Sequence, residues 1–319
     1  MSGQLAFVVR RLLFTIPMLF VMSVLVFLII RLVPGDPVRT MLGFRGTEKN
    51  VALLRGQLGL DRPLIEQYGH WAGALVRGDL GQDIVTHAPL SELLLQRLPV
   101  TFELTALAML LAVAVGVPLG IRAATGGRWT RTLTESFVVF GISVPDFWLG
   151  IMLVLIFSAT LAILPPSGYL PFATDPIANL RYMALPVLTL ATGEAAYILR
   201  TTRGAIASVM DRPFVTFLRA KGISRNRIVF GHALRNAGPS IVTVIGIQVG
   251  VLLGGAIIVE TMFAMPGVGR LIVTAINQRN YPVVQVGILA IAAIFIVVSL
   301  VTDLIVTWLD PRVADGGAR

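Results

Sequence analysis

Apolar runs of membrane-crossing length recur along this chain, and no other feature limits its fold so much. The first is Leu12 to Ile30, and five more follow at roughly 100–121, 136–164, 184–199, 239–265 and 283–309. A bilayer core takes ~20 apolar residues of helix to cross, because every backbone polar group must be paired within the helix. The expected fold is therefore an all-α integral membrane protein with about six transmembrane helices. Composition agrees, since 55% of the 319 residues are hydrophobic and 13% charged, whereas a soluble domain is about 25% charged.

The net charge of +9 would suit nucleic acid, but the basic residues cluster in loops between apolar runs. One set of loops holds Arg10 and Arg11, then Arg122, Arg128 and Arg131. It continues with Arg200, Arg203, Arg212, Arg219, Lys221, Arg225, Arg227 and Arg235, and ends with Arg312 and Arg319. The two short opposing loops hold only Arg181, Arg270 and Arg279. This is the positive-inside pattern, and it places both termini in the cytoplasm and removes nucleic acid as an expected partner. The first run resembles a signal peptide, yet no small-x-small cleavage site follows it, so it reads as an uncleaved anchor.

Three segments follow from this topology. Residues 1–34 form a cytoplasmic N-terminus and the first helix. Residues 35–99 form a long extracytoplasmic segment whose acidic and basic residues balance, so its many cations do not argue against an outside location. Leu54 and Leu58, then Leu90, Leu93, Leu94 and Leu98, fall at helical spacing within it. Residues 100–319 form a five-helix core with a cytoplasmic loop at 200–238.

Catalytic chemistry finds no residues to stand on. Lys49 and Lys221 are the only lysines, and neither follows a Gly-x-x-x-x-Gly, so no nucleotide-binding loop is present. Cysteine is absent, and His70, His87 and His232 are far apart. No paired carboxylates or Ser/His constellation appears. The chain is not expected to be an enzyme, nor to bind a cofactor or metal itself.

Ionisable groups inside a bilayer are costly and default to functional candidates. Asp146 lies nearest mid-span, behind Pro145 and ahead of Phe147 and Trp148, where a proline kink suits a cavity wall. It either meets a substrate ammonium or makes a buried polar contact. Glu194, in the fourth run near Arg200 and Arg203, either lines the same pathway or forms an interhelix salt bridge. Glu260 stands nearer a helix end, where a structural or intersubunit role competes. Gly246, Gly250 and Gly254 repeat at four-residue spacing and allow close helix approach, either at a subunit interface or within the chain. Pro266, Gly267 and Gly269 allow a sharp outer turn and are candidates for a gate.

The most polar stretch is Asp211 to Pro239. Asp211 is placed to cap a short helix with Pro213 in its first turn, and Gly222 to end it in the left-handed conformation. Phe214, Phe217 and Leu218 fall at i, i+3, i+4 beside Arg219, Ala220 and Lys221. Ser224 is placed to cap a second helix, Arg225 to Asn236, that stops before Pro239. The stretch is either a docking element for another protein or a solvated loop.

Arg219-Ala220-Lys221-Gly222, nine residues, then His232-Ala233-Leu234-Arg235-Asn236-Ala237 resembles the coupling loop of bacterial ABC-importer permeases. It is most similar to that of the dipeptide, oligopeptide, nickel and glutathione group. The general pattern of Glu-Ala-Ala, three residues, Gly, nine residues, Ile-x-Leu-Pro keeps only Gly222 and Leu234. Thr216-Phe217-Leu218 occupies the Glu-Ala-Ala positions and Arg235 that of the proline, as in the peptide group. Pro34-Gly35-Asp36-Pro37, the 56–63 and 78–81 motifs, Val259 to Phe263, Pro266 to Arg270 and Asp310-Pro311-Arg312 extend the resemblance along nearly the whole chain.

The resemblance implies a type I importer permease fold and one half of a translocation pathway for di- or oligopeptides in the bacterial inner membrane. It also implies a homologous second permease subunit, two cytoplasmic ATPase subunits that hold ATP and Mg, and an extracytoplasmic substrate-binding protein. In this scheme the 213–222 helix, with Phe214, Phe217, Leu218, Arg219, Ala220, Lys221 and Gly222, couples the ATPases to alternating access. An ion-coupled secondary transporter working without an ATPase is the competing function; it would want inverted repeats and mid-membrane coupling acids.

Overall fold

Every apolar run but the third folds as one helix, and most helices outrun the stretch that predicts them. The computed structural model describes residues 2–32, 38, 47–57 and 61–310. The Pro34–Pro37 motif, the centre of the 56–63 motif and Pro311-Arg312 lie outside the described residues. In chain order the helices are α1 (Ser2–Leu32), α2 (Glu48–Gln57), α3 (Leu64–Val76), α4 (Leu90–Thr125), α5 (Arg128–Ser143) and α6 (Asp146–Leu153). There follow α7 (Pro176–Met210), α8 (Pro213–Ala220), α9 (Leu234–Met262), α10 (Val268–Asn277) and α11 (Tyr281–Leu309). Wider π-helical turns extend α6 over Val154–Thr160 and lead into α9 over Arg227–Ala233. Among the described residues there is no strand, only an isolated bridge between Gln82 and Pro89.

Helices α4, α7, α11 and the joined Arg227–Met262 helix are each long and apolar enough to cross a membrane. The α5–α6 pair qualifies as a fifth, broken span, and α1 carries the apolar stretch Leu13–Leu28 within its 31 residues. At 1.5 Å per residue α1 covers ~46 Å, more than a bilayer core. The chain is an all-α integral membrane protein.

Three clusters of buried side chains succeed one another along the bundle. The central one joins Leu104, Ala108 and Ala112 of α4 to Leu190, Ala191 and Ala195 of α7 and Leu252 and Ala256 of α9. Small residues let the backbones meet there: a methyl placed on Gly116 would stand 2.8 Å from the Ala195 carbonyl oxygen. One end of the bundle packs Ile121, Ile206, Val209, Val229 and Ala237 with Phe214 against them. The other packs Val26, Leu90, Leu94, Val268, Ile272 and Val283, with Leu93 and Leu98 alongside. The leucine spacing of residues 90–98 thus marks a real packing face, and α4 runs unbroken through it into the second span.

Several local expectations are corrected. The third run is not one straight helix but bends by 104° between α5 and α6. Val144, before Pro145, is forced extended at φ −85° and ψ 121°, and Pro145 has no N–H to continue the ladder. Residues 225–236 do not form a separate helix: they run through Pro239 into α9 without a stop. Neighbouring helices allow such prolines within membrane spans. Asp211 caps the end of α7 rather than the start of α8, whose N-cap is Arg212 with no side-chain hydrogen bond. Of the glycine repeat, Gly246 and Gly250 pack within the chain, against Thr302 and Phe295 of α11, while Gly254 faces open space.

Candidate functional site

The stretch from Arg212 to Ile223 builds a short, rigidly closed helix. Pro213 begins α8, where its missing N–H is no loss. Its far end is a Schellman motif: Ile223 N–H donates to the Leu218 carbonyl at 3.2 Å and Gly222 N–H to that of Arg219 at 2.9 Å. Gly222 takes φ 75°, the left-handed conformation that a side chain would strain. Val215 is fully buried and Phe214 packs on the Ile206–Val229 cluster, so α8 is held to the bundle by its own apolar residues.

The predicted apolar face divides between two directions. Phe214 turns inward and Leu218 is half-buried, whereas Phe217 is 59% exposed with the Lys221 ammonium 4.6 Å from its ring centroid. Arg219, Ala220 and Lys221 are exposed. Val215, the deepest residue of α8, is not singled out by the i, i+3, i+4 pattern. At the same end of the bundle opens a cleft of about 320 Å³ lined by Ile121, Arg122, Thr125, Arg225, Asn226, Val229 and Phe230. Phe230 is 61% exposed, and Arg225 donates to the Thr125 carbonyl.

The α5–α6 break sets Asp146 in the first turn of α6, a place that suits a carboxylate. Its two oxygens lie over glycines, each 3.6 Å from where a methyl on Gly193 of α7 or Gly255 of α9 would stand. Glu194, next to Gly193, accepts a hydrogen bond from Gln248 Nε2 at 2.7 Å, both residues being buried. The interhelix salt bridge expected of Glu194 is replaced by this interhelix bond to a neutral amide. Arg203 binds Glu135 at 2.7 Å. Asp146, Glu194 and Gln248 thus converge from α6, α7 and α9, while Trp148 is 46% exposed on the next residues of α6. Gln248 and Glu135 were not predicted; a lone amide within the apolar run 239–265 was the one available signal.

Glu260 is fully buried at the opposite end from α8. Thr101 Oγ1 donates to its Oε1 at 2.6 Å and Arg270 N–H to its Oε2 at 3.0 Å, while Val268 N–H donates to Thr101 Oγ1 at 2.9 Å. The carboxylate so satisfies the N-terminal end of α10, with favourable dipole electrostatics. Gly267 and Gly269, which follow Pro266, admit this approach: methyls there would stand 2.2 Å from the Glu260 carboxyl carbon and 2.5 Å from Ile257 Cα. Among the described residues no group of His, Asp and Glu is arranged to hold a metal ion.

The family model described as "binding-protein-dependent transport system inner membrane component" matches residues 116–315, and its N-terminal companion matches residues 4–105. The chain belongs to this family. Among curated members, a putative peptide transport system permease protein of Brucella abortus is 38% identical over 309 residues, covering 97% of this chain and 98% of that one. The glutathione transport system permease protein GsiC of Escherichia coli K12 is 40% identical over 311 residues, covering 97% and 99%. A solved structure of the MetNI methionine ABC transporter in an inward-facing conformation has a TM-score of 0.58 at 17% identity. It covers 69% of this chain and 97% of that one, which establishes a shared fold. Membership of a binding-protein-dependent transport family identifies a transport membrane component and sets aside the ion-coupled alternative.

Proposed function

We propose that this chain is a peptide permease: one half of the translocation pathway of an ATP-driven importer for di- or oligopeptides, glutathione being itself a tripeptide. The reading is carried by full-length identity of 38–40% to permeases named for peptide and glutathione transport. Its partners in this reading are a homologous second permease, two cytoplasmic ATPase subunits holding ATP and Mg, and an extracytoplasmic binding protein. The termini and α8 face the cytoplasm, where Phe217 docks in a groove of an ATPase and Arg219 and Lys221 meet acids at its rim. ATP-driven closure pushes α8, and the buried contacts of Phe214 and Val215 pass the movement to α7 and α9. Asp146, between Gly193 and Gly255, meets the peptide ammonium, with Trp148 and Glu194 along the same pathway. Glu260 with Pro266, Gly267 and Gly269 sets the hinge of the outer gate.

The test is reconstitution of the complete complex in proteoliposomes with a labelled tripeptide. Uptake that requires both ATP and the binding protein is expected. Uptake that proceeds without ATP and collapses with a protonophore would contradict the proposal. The orientation is checked with single cysteines in this naturally cysteine-free chain. Asp79→Cys should react with an impermeant maleimide on intact cells, and Arg225→Cys only after lysis.

A further inference from the structure

Helix α3 lies in the long segment between the first two spans, and its contacts fix its depth against the membrane. Tyr68 is the centre of that attachment. Ser23 Oγ donates its one proton to the Phe20 carbonyl at 2.7 Å, so at 2.8 Å it accepts from the Tyr68 hydroxyl. The Tyr68 ring meets Phe20 and Phe27 edge-on at centroid distances of 6.2 and 5.3 Å, and Trp71 stands 5.7 Å from Phe27. Every one of these partners belongs to the apolar stretch Leu13–Leu28 of α1. Counting 1.5 Å per residue from Leu12, a ~30 Å hydrocarbon core ends near Arg31, which puts Phe27 ~6 Å and Phe20 ~16 Å inside it.

The remaining faces of α3 sort by polarity. At 100° per residue, Leu64, Tyr68, Trp71 and Leu75 share the side turned to α1. Glu66, His70, Gly73 and Arg77 form the opposite stripe, and Arg62 reaches His70 Nε2 at 3.1 Å. Between them runs Ile65, Gly69, Ala72 and Val76, at i, i+4, i+7, i+11. Ile65 is 86% and Val76 89% exposed, too apolar a flank to face water beside a membrane span. Leu13, Phe14, Leu19, Phe20 and Val21 of α1 are likewise exposed.

The geometry points to α3 as a lipid-embedded interfacial helix: its Ile65–Val76 flank sits among acyl chains of the adjoining leaflet, and its Glu66–His70–Arg77 stripe lies at the headgroups. Thirteen residues, ~20 Å of helix, are too few to cross but suit a helix lying in the interface. The segment is thus not a purely aqueous subdomain: it widens the membrane footprint of the chain beside α1.

The absence of cysteine makes a clean test possible. Spin labels at Ile65→Cys, Val76→Cys, Glu66→Cys and Asp79→Cys are compared in the full chain in lipid nanodiscs, with Leu13→Cys on α1 as a lipid reference. Collision rates with oxygen, which concentrates in lipid, and with a water-soluble nickel chelate are measured for each. The oxygen-to-nickel ratio at 65 and 76 should lie several-fold above that at 79 and approach that at 13, with 66 below both. A ratio at 65 and 76 equal to that at 79 would mean water and overturn the inference. Low rates with both reagents would mean a protein cover and overturn it equally. These substitutions alter exposed positions, so folding does not confound the readout.

Discussion

Thr101 and Glu260, 159 residues apart, share a fully buried hydrogen bond of 2.6 Å that locks α4 to α9. The same hydroxyl accepts from Val268 N–H, so one threonine closes the junction of three helices. Thr101→Val keeps the shape, removes the hydroxyl and leaves a buried carboxylate oxygen and a backbone N–H without their partner. The expected loss is about 1–3 kcal/mol, read as a lower thermal midpoint in detergent. Thr101→Ser should restore most of it. An unchanged midpoint in Thr101→Val would show that the junction contributes nothing.

A second anchor at that end depends on pH. Asp83 accepts from Val85 and Thr86 N–H at 2.7 and 3.0 Å and from Asn280 Nδ2 at 2.8 Å. Burial pushes its carboxyl up, but these donors outweigh it and hold it below the ordinary carboxylate range. A carboxylate with a depressed folded pKa stabilises above its unfolded pKa, near 3.9, and loses that contribution as pH falls through the folded value. Melting temperature across pH 2–6 should therefore fall more steeply on the acid side for the parent than for Asp83→Asn. Asp83→Asn should also be the less stable of the two at neutral pH. Parallel curves would remove Asp83 from the acid response.

Asp146 separates two readings of the mid-membrane cluster. With a substrate ammonium as its partner, Asp146→Asn should reduce uptake of free-amine peptides by tenfold or so, about 1.4 kcal/mol, and spare N-acetylated ones. Equal loss for both would assign the carboxylate to helix packing on Gly193 and Gly255 instead. Competition uptake with the two peptide forms distinguishes these outcomes.

What the sequence disclosed was what local chemistry decides. Apolar runs located the spans because bilayer thickness fixes their length, and Gly222 marked the end of α8 because only its left-handed φ closes that turn. Pro145 was visible as a kink, but the 104° bend needed α7 and α9 to receive α6. Pro239 read as a boundary and was not one, since packed neighbours allow the helix to continue past a missing N–H. Phe214 and Phe217 share a face by period, yet only tertiary packing turns one inward and leaves the other exposed. The Glu194–Gln248 bond joins residues 54 apart, and no periodicity encodes such a pairing.

Helix α8 is proposed as the element through which ATP hydrolysis drives transport, with the exposed Phe217 as its apolar anchor. Truncating such an anchor in a groove typically costs ≥ ~2 kcal/mol, a change of more than tenfold. Phe217→Ala leaves Phe214 and Val215 in place, so membrane insertion and midpoint should not change. The measurement is peptide-stimulated ATPase and peptide uptake, taken together on the complete complex in proteoliposomes. The account predicts that Phe217→Ala loses uptake by tenfold or more while hydrolysis either runs without peptide control or falls away with released ATPase. Hydrolysis and uptake still coupled as in the parent would contradict it.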